Sequence, residues 1–279
     1  MSLLLDAELI RRQVSLALKE DLGGGDLTAE LIDGSAVSRV EILCREEAVL
    51  CGIVWFDEVF RQLSPEMAFE WLARDGDRLQ PGQVICRMKG NTRSLLSGER
   101  TALNYLQTLS GTATLARRYA DAVAGTGARV LDTRKTIPGL RLQQKYAIQC
   151  GGCANHRIGL FDAILIKENH IHAAGSASQA LRAAIASAPQ GVSIEIEVES
   201  LEQLAEVLEA GARRVLLDNF DLDGLRQAVA LNAGRARLEA SGNVNLQTIR
   251  AIAQTGVDDI SVGALTKDVK AVDLSMLFV

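Results

Sequence analysis

The chain has 279 residues, of which 48% are hydrophobic and 23% charged, with 24 Gly and 4 Pro. That composition supports a sizeable core in one large or two modest domains, and it excludes collagen-like, proline-rich and highly charged disordered chains. No apolar run reaches the roughly 18 residues that would cross a bilayer, so no membrane span is expected. The opening Met1-Ser2-Leu3-Leu4-Leu5-Asp6 has no basic stretch before its leucines and does not read as a signal peptide. Five widely spread cysteines form no disulfide framework, which points to a reduced, cytoplasmic protein.

The first predicted element is a helix with Leu9, Ile10, Val14, Ala17 and Leu18 at helical spacing, Asp6 as its cap and Gly23-Gly24-Gly25 at its end. From Ser38 to Gly90 the pattern becomes short strands and turns, with Val40, Ile42 and Cys44 alternating and Asp75-Gly76 and Pro81-Gly82 flanking a short extended segment. Ser97 to Val123 reads as one long helix, whose Gly111 among small residues suggests close packing. Beyond residue 127, six short apolar runs alternate with helical segments: Val130-Leu131, Ala163 to Ile166, Ile194 to Val198, Val215 to Leu217, Ala236 to Leu238 and Ile260 to Val262. Strand and helix in alternation predict a parallel sheet with crossover helices, and a barrel of fewer than eight strands is preferred to an open sheet.

Polar, charged or glycine residues follow every run, where α/β proteins hold their ligands. Between Arg129 and His172 seven Lys/Arg face three Asp/Glu, a local +4 in a chain of net charge −5. Aromatic residues make up only 4% of the chain and the cations are dispersed, so a pocket for a small polyanion is expected, not a nucleic-acid surface. Thr133-Arg134-Lys135 before Pro138-Gly139 puts two cations on a tight loop, and His156, Arg157 and Arg100 extend the set. Lys167, after Ile164-Leu165-Ile166, is expected at the end of a buried strand, as an anion anchor or a Schiff-base amine, or else in a salt bridge with Glu168. Glu195, Glu197 and Glu199 alternate with Ile194, Ile196 and Val198 and share one face. That face is either a solvated edge or a barrel lumen where at least one glutamate meets a lysine, a metal or ribose hydroxyls. Ser241-Gly242-Asn243 and Val262-Gly263-Ala264 are glycine turns suited to a phosphate. Cys150 and Cys153, with His156, His170 and His172 nearby, offer zinc ligands or simply flank a turn.

The chain resembles the quinolinate phosphoribosyltransferase family, the carboxylating nicotinate-nucleotide pyrophosphorylases, along essentially its whole length. The most specific stretches are Glu99 to Asn104, Asp132 to Lys135 with Thr136 and Pro138 to Arg141, Asn155-His156-Arg157, and Leu165 to His170. Glu195 to Glu199, Leu217-Asp218-Asn219, Ser241-Gly242-Asn243 and Ser261 to Thr266 complete them. Cys153 departs from the family, which usually has glycine there; this weakens the zinc reading, and the substitution is expected to be tolerated.

The resemblance implies an N-terminal α/β sandwich, residues 1–108, completed by the tail 266–279, and an open TIM-like α/β barrel, 109–265, that carries the active site. It implies transfer of phosphoribosyl from phosphoribosyl pyrophosphate to quinolinate with decarboxylation, in de novo NAD biosynthesis, with Mg²⁺. Arg100, Arg134, His156 and Arg157 would hold the quinolinate carboxylates, Arg100 across a homodimer interface. Thr133, Lys135 and Lys167 would bind substrate on the loops beside them, the two lysines between the acid and the pyrophosphate. Glu197 and Asp218 would meet the ribose hydroxyls directly or through Mg²⁺, and the turns Ser241 to Asn243 and Val262 to Ala264 would cradle the 5-phosphate. Lys135, Lys167, Glu197 and Asp218 would be the catalytic group. Alternatives are a Schiff-base barrel lyase using Lys167, an anion-binding protein without turnover, and a relative acting on another anionic substrate, such as the molybdenum-operon branch.

Overall fold

Asp6 accepts the Glu8 N–H and opens α1, Ala7–Leu22, whose buried stripe is Ile10, Val14 and Leu18 and whose C-cap is Gly23. Such a cap contributes about 1 kcal/mol. The computed structural model describes residues 5–279. The reading of the chain's opening rests largely on Met1 to Leu4, which lie outside the described residues. The described residues form two compact units: residues up to 115 with 149–152 and 269–279, and residues 116–148 with 153–268.

In the first unit, β1 Val37–Cys44, β2 Ala48–Val49, α2 Ile53–Leu63, β3 Ala68–Trp71, β4 Arg78–Leu79 and β5 Val84–Asn91 lead into α3, Thr92–Ala122. The segment expected to hold only strands and turns therefore contains a helix. Trp55, Phe56, Val59 and Phe60 form its buried face, and their spacing of one, four and five is helical. Trp55 donates to Gln13 Oε1 at 3.0 Å. The long helix begins five residues earlier than expected. Gly111 lies against the last segment of the chain, where a Cβ would come 2.9 Å from the Lys270 carbonyl carbon.

The second unit alternates as expected: β6 Arg129–Leu131, α4 Arg141–Cys150, β7 Ala163–Ile166, α5 Glu168–Ala174, α6 Ala177–Ser187, β8 Ser193–Val198, α7 Leu201–Glu209, β9 Arg214–Asp218, α8 Leu222–Asn232, β10 Arg237–Ser241, α9 Ile249–Ala253, β11 Asp259–Ser261 and α10 Ala264–Lys267. Its six strands are all parallel, in the order β6-β11-β10-β9-β8-β7. The barrel is open, with β6 and β7 at the two edges; Ala154 bridges Leu131 on the free side of β6. The final strand, β12 Leu274–Phe278, returns to the first unit, whose antiparallel sheet runs β12-β1-β5-β3. No helix among the described residues is long and apolar enough to cross a membrane.

Register divides the parallel sheet into two chemistries. Ile196 pairs with Val215, Val198 and Ala240 with Leu217, and Ala240 with Ile260 on one face, an apolar layer. On the other, Leu216 is in register with Glu197 and Glu239, Glu239 with Asp259, and Asp259 with Arg129. Successive side chains point to opposite faces, so Glu195, Arg214, Asp218, Arg237 and Ser241 join the charged layer.

Candidate active site

The Asp132 carboxylate, completely buried just past β6, organises one corner. It meets the equally buried Lys145 Nζ at 2.6 Å and accepts from Asn155 Nδ2 and the His156 backbone N–H, each at 2.8 Å. Burial raises Asp132 and lowers Lys145, against their mutual attraction. This clamp fixes the loop carrying His156 and Arg157 beside the loop carrying Thr133, Arg134 and Lys135. Thr133 Oγ1 accepts the Lys135 N–H at 3.1 Å, and Thr266 Oγ1 donates to Lys135 O at 2.8 Å.

Arg134 and Arg157 lie close enough for their charges to oppose each other. Burial first, and then Arg134, lower the Arg157 guanidinium, while Arg134 Nε is buried with no hydrogen-bond partner. Two neighbouring guanidiniums, one with an unmet donor, suit an anion.

Lys167 Nζ reaches Glu197 Oε2 at 2.6 Å, so its salt bridge runs to β8 and not to Glu168. The strand before it is a half-buried edge, not a buried strand, and the Lys167 side chain is 45% exposed. Burial raises the Glu197 carboxyl and the Asp218 charge adds to that, against Lys167. Glu195 and Glu197 are buried while Glu199, one residue past the strand, is exposed. The strand is interior to the sheet, so the solvated-edge reading fails. Glu199 and Glu197 line a hollow of about 290 Å³ with Glu168, His172 and Gln203.

Asn219 and Asn243 adopt left-handed backbone at φ 58° and 49°, a conformation asparagine tolerates better than most residues. Gly242, at φ +102°, has no room for a side chain: a Cβ would collide with Asn219 Oδ1 and lie 3.0 Å from Asn219 N. Only glycine fits where this turn packs on Asn219. Of the second trio, the Val262 N–H is committed to Leu131 O, while Gly263 caps α10 and Ala264 begins it. First-turn amides of a helix have no intrahelical partner. Gly263 also packs on Lys135, whose Cδ would lie 3.1 Å from a Cβ there. Arg100 is exposed on α3 in the first unit.

A deeper charged layer escaped the sequence reading. His156 Nε2 lies 2.8 Å from Glu195 Oε2 and 3.6 Å from Glu239 Oε2, and Arg214 Nη2 contacts Glu195, Glu239 and Asp259 at 3.4 to 3.6 Å. Burial pulls His156 down, but its bond to Glu195 and the two glutamate charges outweigh it and the ring is raised. Burial would raise Glu195, yet His156 and Arg214 hold it low. Glu239 is pushed up to about 8 by burial and by the Glu195 charge.

The structure does not bring together the zinc ligands read from the sequence. Among the described residues Cys150 groups with Cys51 and Asp75, whereas Cys153 is buried and donates to Ala116 O at 3.1 Å. His170 Nδ1 accepts the Lys167 N–H at 3.0 Å.

Cations, carboxylates and glycine turns gathered beyond the C-terminal ends of parallel strands are the site of an α/β-barrel protein that handles anions. Family models agree. "Quinolinate phosphoribosyl transferase, N-terminal domain" matches residues 26–110 and "Quinolinate phosphoribosyl transferase, C-terminal domain" residues 112–277. A probable nicotinate-nucleotide pyrophosphorylase [carboxylating] of Bacillus subtilis is 42% identical, over 92% of this chain and 89% of its own. A quinolinate phosphoribosyltransferase [decarboxylating] of Nicotiana glauca is 39% identical, over 96% and 81%. The solved nicotinate-nucleotide pyrophosphorylase of Francisella tularensis superposes with a TM-score of 0.95 at 44% identity, over 99% of this chain and 98% of that one. The chain belongs to the quinolinate phosphoribosyl transferase family.

Proposed function

We infer that the protein transfers phosphoribosyl from phosphoribosyl pyrophosphate to quinolinate, giving nicotinate mononucleotide, pyrophosphate and CO₂ in NAD biosynthesis. The observation that carries this within the site is the opposed pair Arg134 and Arg157, two guanidiniums that suit a dicarboxylate, with Lys135 next to Arg134 in the chain and Lys167 held by Glu197 at the end of β7.

Arg134 and Arg157, with His156 and with Arg100 from a second protomer of a homodimer, hold the two carboxylates and present the pyridine nitrogen. The Thr133 loop supports them. Lys135 and Lys167 lie between the acid and the pyrophosphate and stabilise the leaving group. The nitrogen lone pair forms the bond to the anomeric carbon as the bond to pyrophosphate breaks with its electron pair. Glu197 and Asp218 meet the ribose hydroxyls and offset positive charge at that carbon. Gly242, Asn243, Gly263 and Ala264, with Ser241 and Val262 shaping their turns, cradle the 5-phosphate. The carboxylate beside the new pyridinium then leaves as CO₂, its electron pair stabilised at the ring carbon by the adjacent cationic nitrogen, and a proton completes the product.

Glu197 and Asp218 are hard oxygen donors whose charges act on each other, which fits Mg²⁺ bound by one or two carboxylates together with substrate oxygens. When bound there, Mg²⁺ would neutralise charge on the departing pyrophosphate. No disulfide joins any of the five cysteines, which suits the reducing cytoplasm we assign. The Schiff-base alternative is disfavoured by the Glu197 contact, which an amine nucleophile would have to give up. Incubation with both substrates and Mg²⁺ should yield nicotinate mononucleotide and CO₂ together. Folded protein that forms neither would leave the family as a likeness of fold.

A further inference from the structure

Both carboxylate oxygens of Glu239 are buried without a well-formed hydrogen bond, although the Ser261 hydroxyl and Glu195 lie near enough to act on it, and the side chain is 1% exposed. Charged groups face it from every side of the barrel floor: Glu195 on β8, Arg214 on β9, Asp259 on β11, and His156 on the loop after α4. The Arg214 guanidinium is divided among three carboxylates, while Arg129 and Arg237 are committed to Asp259 at 2.9 and 3.0 Å. Lys145 and Asp132 bind the His156 backbone from the other side, and Arg157 follows in the chain. Glu239 is left with the shared Arg214 at 3.5 Å and the His156 ring at 3.6 Å, and a buried carboxylate paired so loosely is expensive. The remedy is a proton on it. Glu195 has the short bond to His156; Glu239 has none.

The His156 ring links this layer to the substrate loop. Nδ1 accepts the Arg157 backbone N–H at 2.7 Å, which assigns the proton of the neutral ring to Nε2, facing the glutamates. We propose that Glu239 is a positioning residue for the pyridine dicarboxylate: as a neutral acid beneath His156 it leaves Glu195 the ring's sole anionic partner. The ring's tautomer and tilt, and the backbone from which Arg157 reaches substrate, are set in this way. The proposal rests on the quinolinate reading above. His156, Glu195 and Glu239 also have the donor types of a metal site, but Arg214 already occupies the space between the two carboxylates as their cation.

The test compares wild type with Glu239→Ala and Glu239→Gln in KM for quinolinate and kcat, from about pH 6 to about pH 9. The alanine variant should raise KM about tenfold, equivalent to ~1.4 kcal/mol of binding, with kcat moved less. The glutamine variant, neutral and of the same shape, should restore KM at neutral pH and abolish the alkaline rise in KM that wild type shows as Glu239 ionises. Glutamine as damaging as alanine, or three indistinguishable profiles, would overturn the proposal. Thermal unfolding of the same proteins without substrate supplies a second arm. Because folded Glu239 holds its proton more tightly than the unfolded chain does, wild type should lose stability relative to the glutamine variant as pH rises from the ordinary carboxyl range to about 8. Parallel curves overturn the proposal whatever the activity. No turnover even in wild type is instead a failure of the reaction assignment.

Discussion

Lys167 and Glu197 join the ends of neighbouring parallel strands through a 2.6 Å contact between Nζ and Oε2. The pair places an ammonium beside one of the two carboxylates assigned to the ribose. Lys167→Ala should lower turnover at least about a hundredfold, the scale of losing one group that stabilises transition-state charge. Circular dichroism should show an unchanged fold. Near-normal activity would remove Lys167 from the catalytic group, and borohydride trapping of a quinolinate adduct on Lys167 would support the lyase chemistry instead.

The Asp132–Lys145 clamp makes a different prediction, about stability. Lys145→Ala leaves Asp132 buried without its cation, and should cost about 3–5 kcal/mol in denaturant unfolding. The double variant Asp132→Asn with Lys145→Met should cost less than the two single changes summed, because no buried charge is left unpaired.

Asp259 governs the acid limb. Burial would raise its carboxyl, but hydrogen bonds from Arg129 and Arg237 and their charges prevail and hold it below the ordinary value. A depressed folded pKa gives stability that is present above the unfolded pKa and lost as pH falls through the folded one. Asp259→Asn should therefore reduce stability at neutral pH by about 1–2 kcal/mol. The difference from wild type should shrink as pH falls below the ordinary carboxyl range and through the lowered folded pKa, as melting curves across pH would show.

Arg100 tests the shared site. Mixing Arg100→Ala chains with Lys167→Ala chains, each inactive alone, should restore about one quarter of the sites once subunits exchange, since half of a symmetric dimer population would then carry one intact site. No recovery despite proven exchange would place Arg100 outside the neighbouring site.

Much of the second unit is legible in the sequence because each apolar run stops at a charge or a glycine, and most of those stops fall at the strand ends, as at Lys167, Asp218 and Gly263. The buried layer below them is not. The fifth apolar run, Ala236 to Leu238, breaks at Glu239, so nothing in the sequence shows that this acid lies mid-strand between Leu238 and Ala240. Lys145 escaped because α4 buries Gln143, Gln144 and Lys145, and apolar periodicity is blind to a helix whose inner face is polar. Its partner Asp132 lies 13 residues earlier, beyond any local pattern. In the first unit, α2 was hidden among strands although Trp55, Phe56, Val59 and Phe60 carry the helical period.

The most direct measurement is a balance of products from quinolinate labelled in the carboxylate next to the ring nitrogen. With phosphoribosyl pyrophosphate and Mg²⁺, labelled CO₂, pyrophosphate and nicotinate mononucleotide should appear in equal amounts, and no CO₂ should form without phosphoribosyl pyrophosphate. Release of CO₂ in its absence, or a nucleotide that keeps both carboxylates, would contradict the account.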